Sequence, residues 1–398
     1  MELSKIALGI KPSSTLSITE KAGILRKEGK NVISFSVGEP DFDTPEHIKK
    51  AAVDAINEGF TKYTAAAGIT ELRQAVAKKL KDDNGLDYDY TQIVISNGAK
   101  HSLTNALMAV LNPGDEVIIP APYWLSYAEM VRLAGGTPVV VYTKQEEDFA
   151  LTREVLESGY SDKTKAVIIT TPSNPTGMVM TEKQLREIAD FAVEKDIIVI
   201  ADEIYEKLIY SDDKKHVSIA SFGKEIYDRT ITVNGVSKSY AMTGWRIGYT
   251  ASSLKIAKLM SSMQSHMTSG PNSIAQKAAL AAIAGPQDCV EDMRKEFEKR
   301  RDYIYDRVAK MPYVRTLKPE GAFYLFVDFS GTYGKTYKGE KLESAAQIGA
   351  LLLDEALIAV VPCADFGMPD HIRFSYATSL ENIKTGMDRL EKFLEEIK

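Results

Sequence analysis

From about residue 90 the chain alternates short, continuously apolar runs with longer stretches of helical period. The apolar runs cover residues 92–95, 116–119, 137–141, 166–170, 197–201, 230–233 and 247–250. Helices are predicted in most of the gaps, one of them opened by the capping box Thr181…Gln184. Strands apolar on both faces and separated by helices imply a mostly parallel sheet covered on both sides. Upstream, Ile18, Ala22 and Leu25 form a short helical stripe that Gly29 can end, and residues 32–37 read as a strand broken by Gly38-Glu39-Pro40-Asp41-Phe42. A helix should follow with Thr44 as cap and Pro45 at its first position, running to Gly59, and another from Thr70. After about residue 290 the alternation stops. A charged helix over 291–310 precedes strands over 314–317 and 322–328, a helix over 345–356 and strands over 358–361 and 372–376. Ser379 then caps a last helix with Ile383, Met387, Leu390 and Leu394 on one stripe, an α+β pattern.

Composition narrows the class. With 398 residues, 44% of them hydrophobic, the chain can bury a large core and is expected to form two domains. A net charge of −6 without a basic cluster argues against nucleic acid or an anionic membrane as partner. Cys289 and Cys363 lie far apart and fit no metal or disulfide framework, which points to a reducing cytoplasm. Met1-Glu2-Leu3-Ser4-Lys5 lacks the apolar core of a signal peptide, and no apolar run is long enough to span a bilayer.

In sheets of this kind ligands gather beyond the carboxyl ends of the strands, and four of those ends carry chemistry. The run 230–233 drops into a Gly/Ser turn that presents Lys238, with Arg246 eight residues on. Lysine forms Schiff bases with carbonyls once its pKa is lowered; a solvated loop lysine is the other reading. After 166–170, Thr171-Pro172-Ser173-Asn174-Pro175-Thr176-Gly177 is a turn that holds Asn174. After 197–201 comes Asp202-Glu203-Ile204-Tyr205, where Asp202 and Tyr205 share a face if the chain turns helical. After 116–119 comes Pro120-Ala121-Pro122-Tyr123-Trp124, with one of two tryptophans. Singly, Asp202 reads as a helix cap, Asn174 as a turn former and Trp124 as core; together they point to a site. Ser96-Asn97-Gly98-Ala99-Lys100, between a strand and a helix, can offer free N–H groups to a phosphate or be a plain turn. Tyr63, in the loop Lys62-Tyr63-Thr64-Ala65, reads as a surface tyrosine.

These segments, with Gly38-Glu39-Pro40-Asp41-Phe42, Ser173-Asn174-Pro175-Thr176-Gly177, Met242-Thr243-Gly244-Trp245-Arg246-Ile247-Gly248 and Ile372-Arg373-Phe374-Ser375, resemble the class I aminotransferases of pyridoxal-phosphate fold type I, in particular the bacterial aspartate aminotransferase branch. The resemblance spans essentially the whole chain, and Ser237-Lys238 with its arginine eight residues on is its most specific part. It implies an α/β fold with a mostly parallel central sheet flanked by helices, plus a smaller α+β domain. The division would be 1–45 for an N-terminal arm and part of the small domain, 46–289 for the large cofactor-binding domain and 290–398 for the small C-terminal domain.

The resemblance also implies pyridoxal 5'-phosphate as cofactor, no metal, and roles for single residues. Lys238 holds the cofactor and moves a proton at the substrate; Asp202 faces the pyridine nitrogen; Tyr205 and Asn174 donate to the ring 3-oxygen. Trp124 stacks on the ring, and Gly98, Ala99, Ser237 and Arg246 hold the phosphate. Tyr63 reaches the phosphate of a neighbouring subunit, so a homodimer with shared sites is expected. Arg373 grips the substrate α-carboxylate from a strand whose Ile372 and Phe374 pack the other way, and Gly38 offers its N–H to the same group. Lys100, Ser13 and Thr15 stand where the second carboxylate of aspartate is met. The implied reaction moves an amino group between an L-amino acid, aspartate first, and 2-oxoglutarate by a ping-pong cycle through pyridoxamine phosphate. An aromatic or prephenate-type aminotransferase, or a carbon–sulfur β-lyase on the same fold, are the alternatives.

Overall fold

The computed structural model describes residues 1–210 and 213–398. In chain order the strands are β1 (Ile33–Ser34), β2 (Ile93–Ser96), β3 (Glu116–Ala121), β4 (Thr137–Tyr142), β5 (Thr164–Thr170), β6 (Ile198–Asp202), β7 (Thr230–Gly235) and β8 (Gly248–Ala251). They continue with β9 (Arg315–Thr316), β10 (Tyr324–Asp328), β11 (Thr336–Tyr337), β12 (Glu340–Lys341), β13 (Ile358–Ala359), β14 (Val361–Pro362) and β15 (His371–Ser375).

The seven apolar runs form one sheet in the order β2-β8-β7-β6-β5-β3-β4. β3 to β7 pair in parallel, and β8 runs against both of its neighbours. Alternate residues of each strand enter opposite faces, and both faces are dry. Ala166, Ile168 and Ile200 join Leu103 and Leu107 of the helix Ala99–Val110, whereas Val167, Ile169 and Val199 join Leu185 and Ile188 of the helix Glu182–Glu194. Both bonds of the capping box at Thr181 form.

The C-terminal sheet is antiparallel, in the order β14-β15-β10-β9. The helices Asp288–Val308 and Leu380–Glu395 lay Phe297, Ile304, Ile383, Met387, Leu390 and Leu394 into its core, and Ser379 caps the latter by accepting from the Asn382 N–H. The N-terminal segment pairs with the C-terminal part of the chain, in a separate two-stranded sheet, rather than with the large sheet. β1 pairs in parallel with β13, and the helix Ser14–Lys27 buries Ala22 against Val32, Leu353 and Ala359.

Several local expectations are corrected. Thr44 does not cap the following helix: its Oγ1 donates to the Ala241 carbonyl, Pro45 takes the cap position and the helix is Glu46–Asn57. The run 32–37 pairs as a strand only over Ile33–Ser34. The run 358–361 divides, β13 serving β1 and β14 serving β15, with Pro362 on a sheet edge where its missing N–H costs nothing. β15 is buried along its whole length, Arg373 included. After Asp202 the chain makes turns, not a helix, and Tyr205 is positioned by tertiary contacts. Among the described residues no helix is long and apolar enough to cross a membrane.

Candidate active site

Ser13, Thr15, Gly38, Ala99, Lys100, Trp124, Asn174, Asp202, Tyr205, Ser237, Lys238, Arg246 and Arg373 line one cleft of about 530 Å³ beside the carboxyl ends of β5 and β6. Two expected residues stand outside its lining. Gly98 lies immediately behind Arg246, and Tyr63 is 97% exposed.

Lys238 follows the turn after β7, and its Nζ donates to the Gly38 carbonyl at 2.6 Å. Burial brings its ammonium down from an ordinary 10.5 to about 8; Arg373 and Arg246 push the same way, Glu39 and Asp202 against. Asp202, the last residue of β6, is 4% exposed. Its Oδ2 accepts from Tyr127 Oη at 2.7 Å and its Oδ1 from the Ile204 N–H at 3.2 Å. Desolvation raises this carboxyl to about 6, opposed by those two donors and by Lys238. Tyr205 pairs its hydroxyl with that of Tyr324 at 2.8 Å, and burial pushes its pKa well above the ordinary range.

Arg373 is buried, its guanidinium 4.4 Å from the centre of the Tyr324 ring. It donates to Asn174 Oδ1 at 2.9 Å and to the Ser36 carbonyl at 3.1 Å, and its Nε finds no acceptor. Among the described residues no carboxylate pairs with it. A buried cation held by neutral oxygens is expensive unless an anion arrives.

A second cationic corner lies at the start of the helix Ala99–Val110, whose first N–H groups have no intrahelical acceptor. Arg246, at φ 57°, bridges the Asn97 and Thr243 carbonyls at 3.3 and 3.0 Å. Gly98 adopts φ 87° and ψ 160°, a backbone state suited to glycine, and a methyl there would strike the Arg246 guanidinium. Ser237 is buried beside this corner. Lys100 lies over the Trp124 ring at 4.7 Å, and Trp124 meets Tyr127 edge to face. Desolvation and Arg246 lower the proton affinity of Lys100.

Tyr127, Thr170, Glu39, Ser36 and Tyr324 also reach the site but were not singled out from sequence. For Tyr127 a signal existed, its position three residues after Trp124. Tyr324 sits in an apolar run that reads as core. A softened amine, a buried acid, an unpaired guanidinium and an anion corner around one cleft suit a phosphorylated carbonyl compound and a carboxylate-bearing amine.

Residues 30–390 match the family model described as aminotransferase class I and II. The chain is 46% identical over 99% of both chains to an aspartate aminotransferase of Geobacillus stearothermophilus. It is 47% identical to a probable aspartate/prephenate aminotransferase of Aquifex aeolicus, covering 98% of this chain and 97% of that one. The solved aspartate aminotransferase of Thermus thermophilus with maleate superposes with a TM-score of 0.93 at 40% identity, covering 99% of this chain and all of that one.

Proposed function

The chain belongs to the class I and II aminotransferases, and from that premise we propose that it uses pyridoxal 5'-phosphate to move the amino group of L-aspartate to 2-oxoglutarate in a ping-pong cycle. The observation that carries this reading is the convergence of Lys238, Asp202 and the carboxylate-free Arg373 on one cleft. The residues present fit the cofactor: an amine of lowered pKa for its aldehyde, a buried carboxylate for its ring nitrogen and a cationic helix start for its phosphate. When bound, the cofactor supplies a ring that accepts the electrons left at the substrate Cα.

The side chains divide the remaining work. Lys238 would hold the cofactor through its amine, and that amine is the group placed to move the proton at the substrate Cα. Asp202 holds the ring nitrogen protonated. Tyr205 donates toward the ring 3-oxygen together with Asn174, whose Oδ1 is taken by Arg373 and whose Nδ2 is left as the donor. Trp124 covers the ring face. Gly98, Ala99, Ser237 and Arg246 bind the phosphate. Arg373 takes the substrate α-carboxylate in its planar fork, with the Gly38 N–H beside it. Lys100, Ser13 and Thr15 meet the distal carboxylate, a reading supported by the maleate, a dicarboxylate, named with the Thermus thermophilus protein. The Aquifex aeolicus relative's name supports a second acceptor, prephenate.

Residues 46–289 are assigned to the cofactor-binding domain, and 1–45 with 290–398 to the arm and small domain. The almost full exposure of the Tyr63 ring supports a second copy of the chain covering it, with Tyr63 reaching the neighbouring phosphate. The unpaired thiols of Cys289 and Cys363 are in keeping with a reducing cytoplasm. The deciding experiment is a panel of amino donors against 2-oxoglutarate, with aspartate expected to lead. Ammonia released from a donor with no oxo acid present indicates β-elimination and defeats the transaminase assignment.

A further inference from the structure

The carboxylate of Asp202 is almost fully enclosed, yet a carboxylate that is to keep a ring nitrogen protonated must itself stay ionised. The surroundings work against that, since burial desolvates the carboxylate and Glu203, the adjacent residue, adds negative charge. Glu203 is itself turned away, its oxygens taken by His216 and Ser218. Lys238 is the cation facing Asp202, and its amine is committed to the cofactor aldehyde in the reading above.

Two hydroxyls stand behind Asp202. Tyr127, from the helix Ser126–Leu133, places Oη 2.7 Å from Asp202 Oδ2 and 2.5 Å from Thr170 Oγ1. Thr170 ends β5 and is the register partner of Asp202 across the β5–β6 pair. Tyr127 is 2% exposed, and Trp124 meets its ring edge to face at 5.5 Å, which fixes its direction. One proton count decides the polarity of this chain. Tyr127 has a single O–H, an ionised carboxylate has none, and the carboxylate is the stronger acceptor. Tyr127 therefore donates to Asp202 and accepts from Thr170. The Ile204 N–H serves Oδ1, and Asp202 lines the cleft.

We propose that Tyr127, backed by Thr170, is a positioning residue for transamination: the Thr170–Tyr127–Asp202 relay holds the carboxylate ionised and aimed at the cofactor's ring nitrogen. The inference rests on the assignment of Asp202 to that nitrogen, and it adds a function for two cleft-lining residues to which the reading above gives none. Reversing the relay would require a protonated Asp202 donating to Tyr127, so the relay favours the charged acid. Burial alone favours the neutral one.

The test compares two ligands on the apo protein: pyridoxal 5'-phosphate and its analogue with carbon in place of the ring nitrogen. Both carry the same aldehyde and phosphate, so only the nitrogen distinguishes them. Tyr127→Phe keeps the ring against Trp124 and removes one hydrogen bond to a charged group. Its affinity for pyridoxal 5'-phosphate should fall roughly 10- to 100-fold while its affinity for the carbon analogue stays within about twofold. Thr170→Val should give a smaller loss with the same selectivity, and it decides the matter if Tyr127→Phe does not fold. Equal losses for both ligands, or none for either, overturn the relay and leave the hydroxyls as packing. Failure of the wild-type protein to prefer the natural ligand over the carbon analogue overturns the Asp202 assignment itself, a result distinct from failure of the relay.

Discussion

An amine attacks a carbonyl only in its unprotonated form, and an ordinary lysine is charged at neutral pH. Lys238 is moved to about 8 by burial and by the two arginines that face it. Cofactor uptake by the apo protein should therefore accelerate with pH and level off just above 8; stopped-flow absorbance still rising at pH 10 would show an unperturbed ammonium. The stability effects of the two central groups have opposite signs. For Lys238, lowered from 10.5, the unfolded chain binds more protons between that value and about 8, so its contribution grows as pH rises through this window. For Asp202, raised from 3.8 to about 6, the folded chain binds more protons, so its contribution shrinks as pH rises between the two. Arg373 permits a second residue-scale prediction. Arg373→Ala should cost about 2–5 kcal/mol of transition-state stabilisation, seen in kcat/KM, by removing one partner of a buried charge pair; an unchanged kcat/KM places the carboxylate elsewhere. Lys238 drew attention in the sequence because a charge at a strand end is hard to explain as packing, whereas Arg373, in the middle of β15, and Arg246 were assigned roles only through the family resemblance. Tyr127 carried only its spacing from Trp124, and Tyr324 carried nothing, because a tyrosine in an apolar run reads as core until its hydroxyl's partner, far away in sequence, is known.

At the scale of elements, the alternating apolar runs announced the large sheet and its two buried faces, because period-2 burial on both sides leaves no polar stripe. The antiparallel direction of β8 was not legible: its composition suits either pairing, and direction is set by how the chain returns after the Lys238 turn. The segment after β6 carries a further prediction. Asp202 enters the cleft, but Glu203 and Glu206 turn the other way into a buried cluster. His216 and Ser218 meet Glu203 at 2.9 and 2.7 Å, and Lys79 and Asn84 hold Glu206. Against its own burial, Glu206 is kept at about 2 by Lys79 and His216. Lys79→Met keeps the stem and strands this charge, and should destabilise the protein by about 3–5 kcal/mol in urea unfolding. The double variant Lys79→Met/Glu206→Met should recover most of that loss. A cost under about 1 kcal/mol for the single change would mean the pair is solvated like a surface ion pair.

The whole molecule lines its cleft from the large sheet, the C-terminal sheet and the N-terminal segment, and three bonds there join residues far apart in the chain. Tyr205 meets Tyr324, Lys238 meets the Gly38 carbonyl and Arg373 meets Asn174. One expected residue, Tyr63, has no place in this cleft, and its 97% exposure is unusual for a large ring on a loop. Sequence could not distinguish a solvated tyrosine from one waiting for a second chain, because both are exposed in a single copy. Genetic mixing distinguishes them. Lys238→Ala should abolish the visible absorbance and nearly all turnover, and Tyr63→Ala should loosen the cofactor and depress activity. In a mixed dimer the chain carrying Tyr63→Ala keeps its own Lys238 and receives the partner's Tyr63 intact, so one complete site is assembled. Co-refolding the two variants should then give activity above the sum of the separate preparations. Activity equal to that sum, with mixed dimers demonstrated by mass, would confine each site to its own chain and remove Tyr63 from the chemistry.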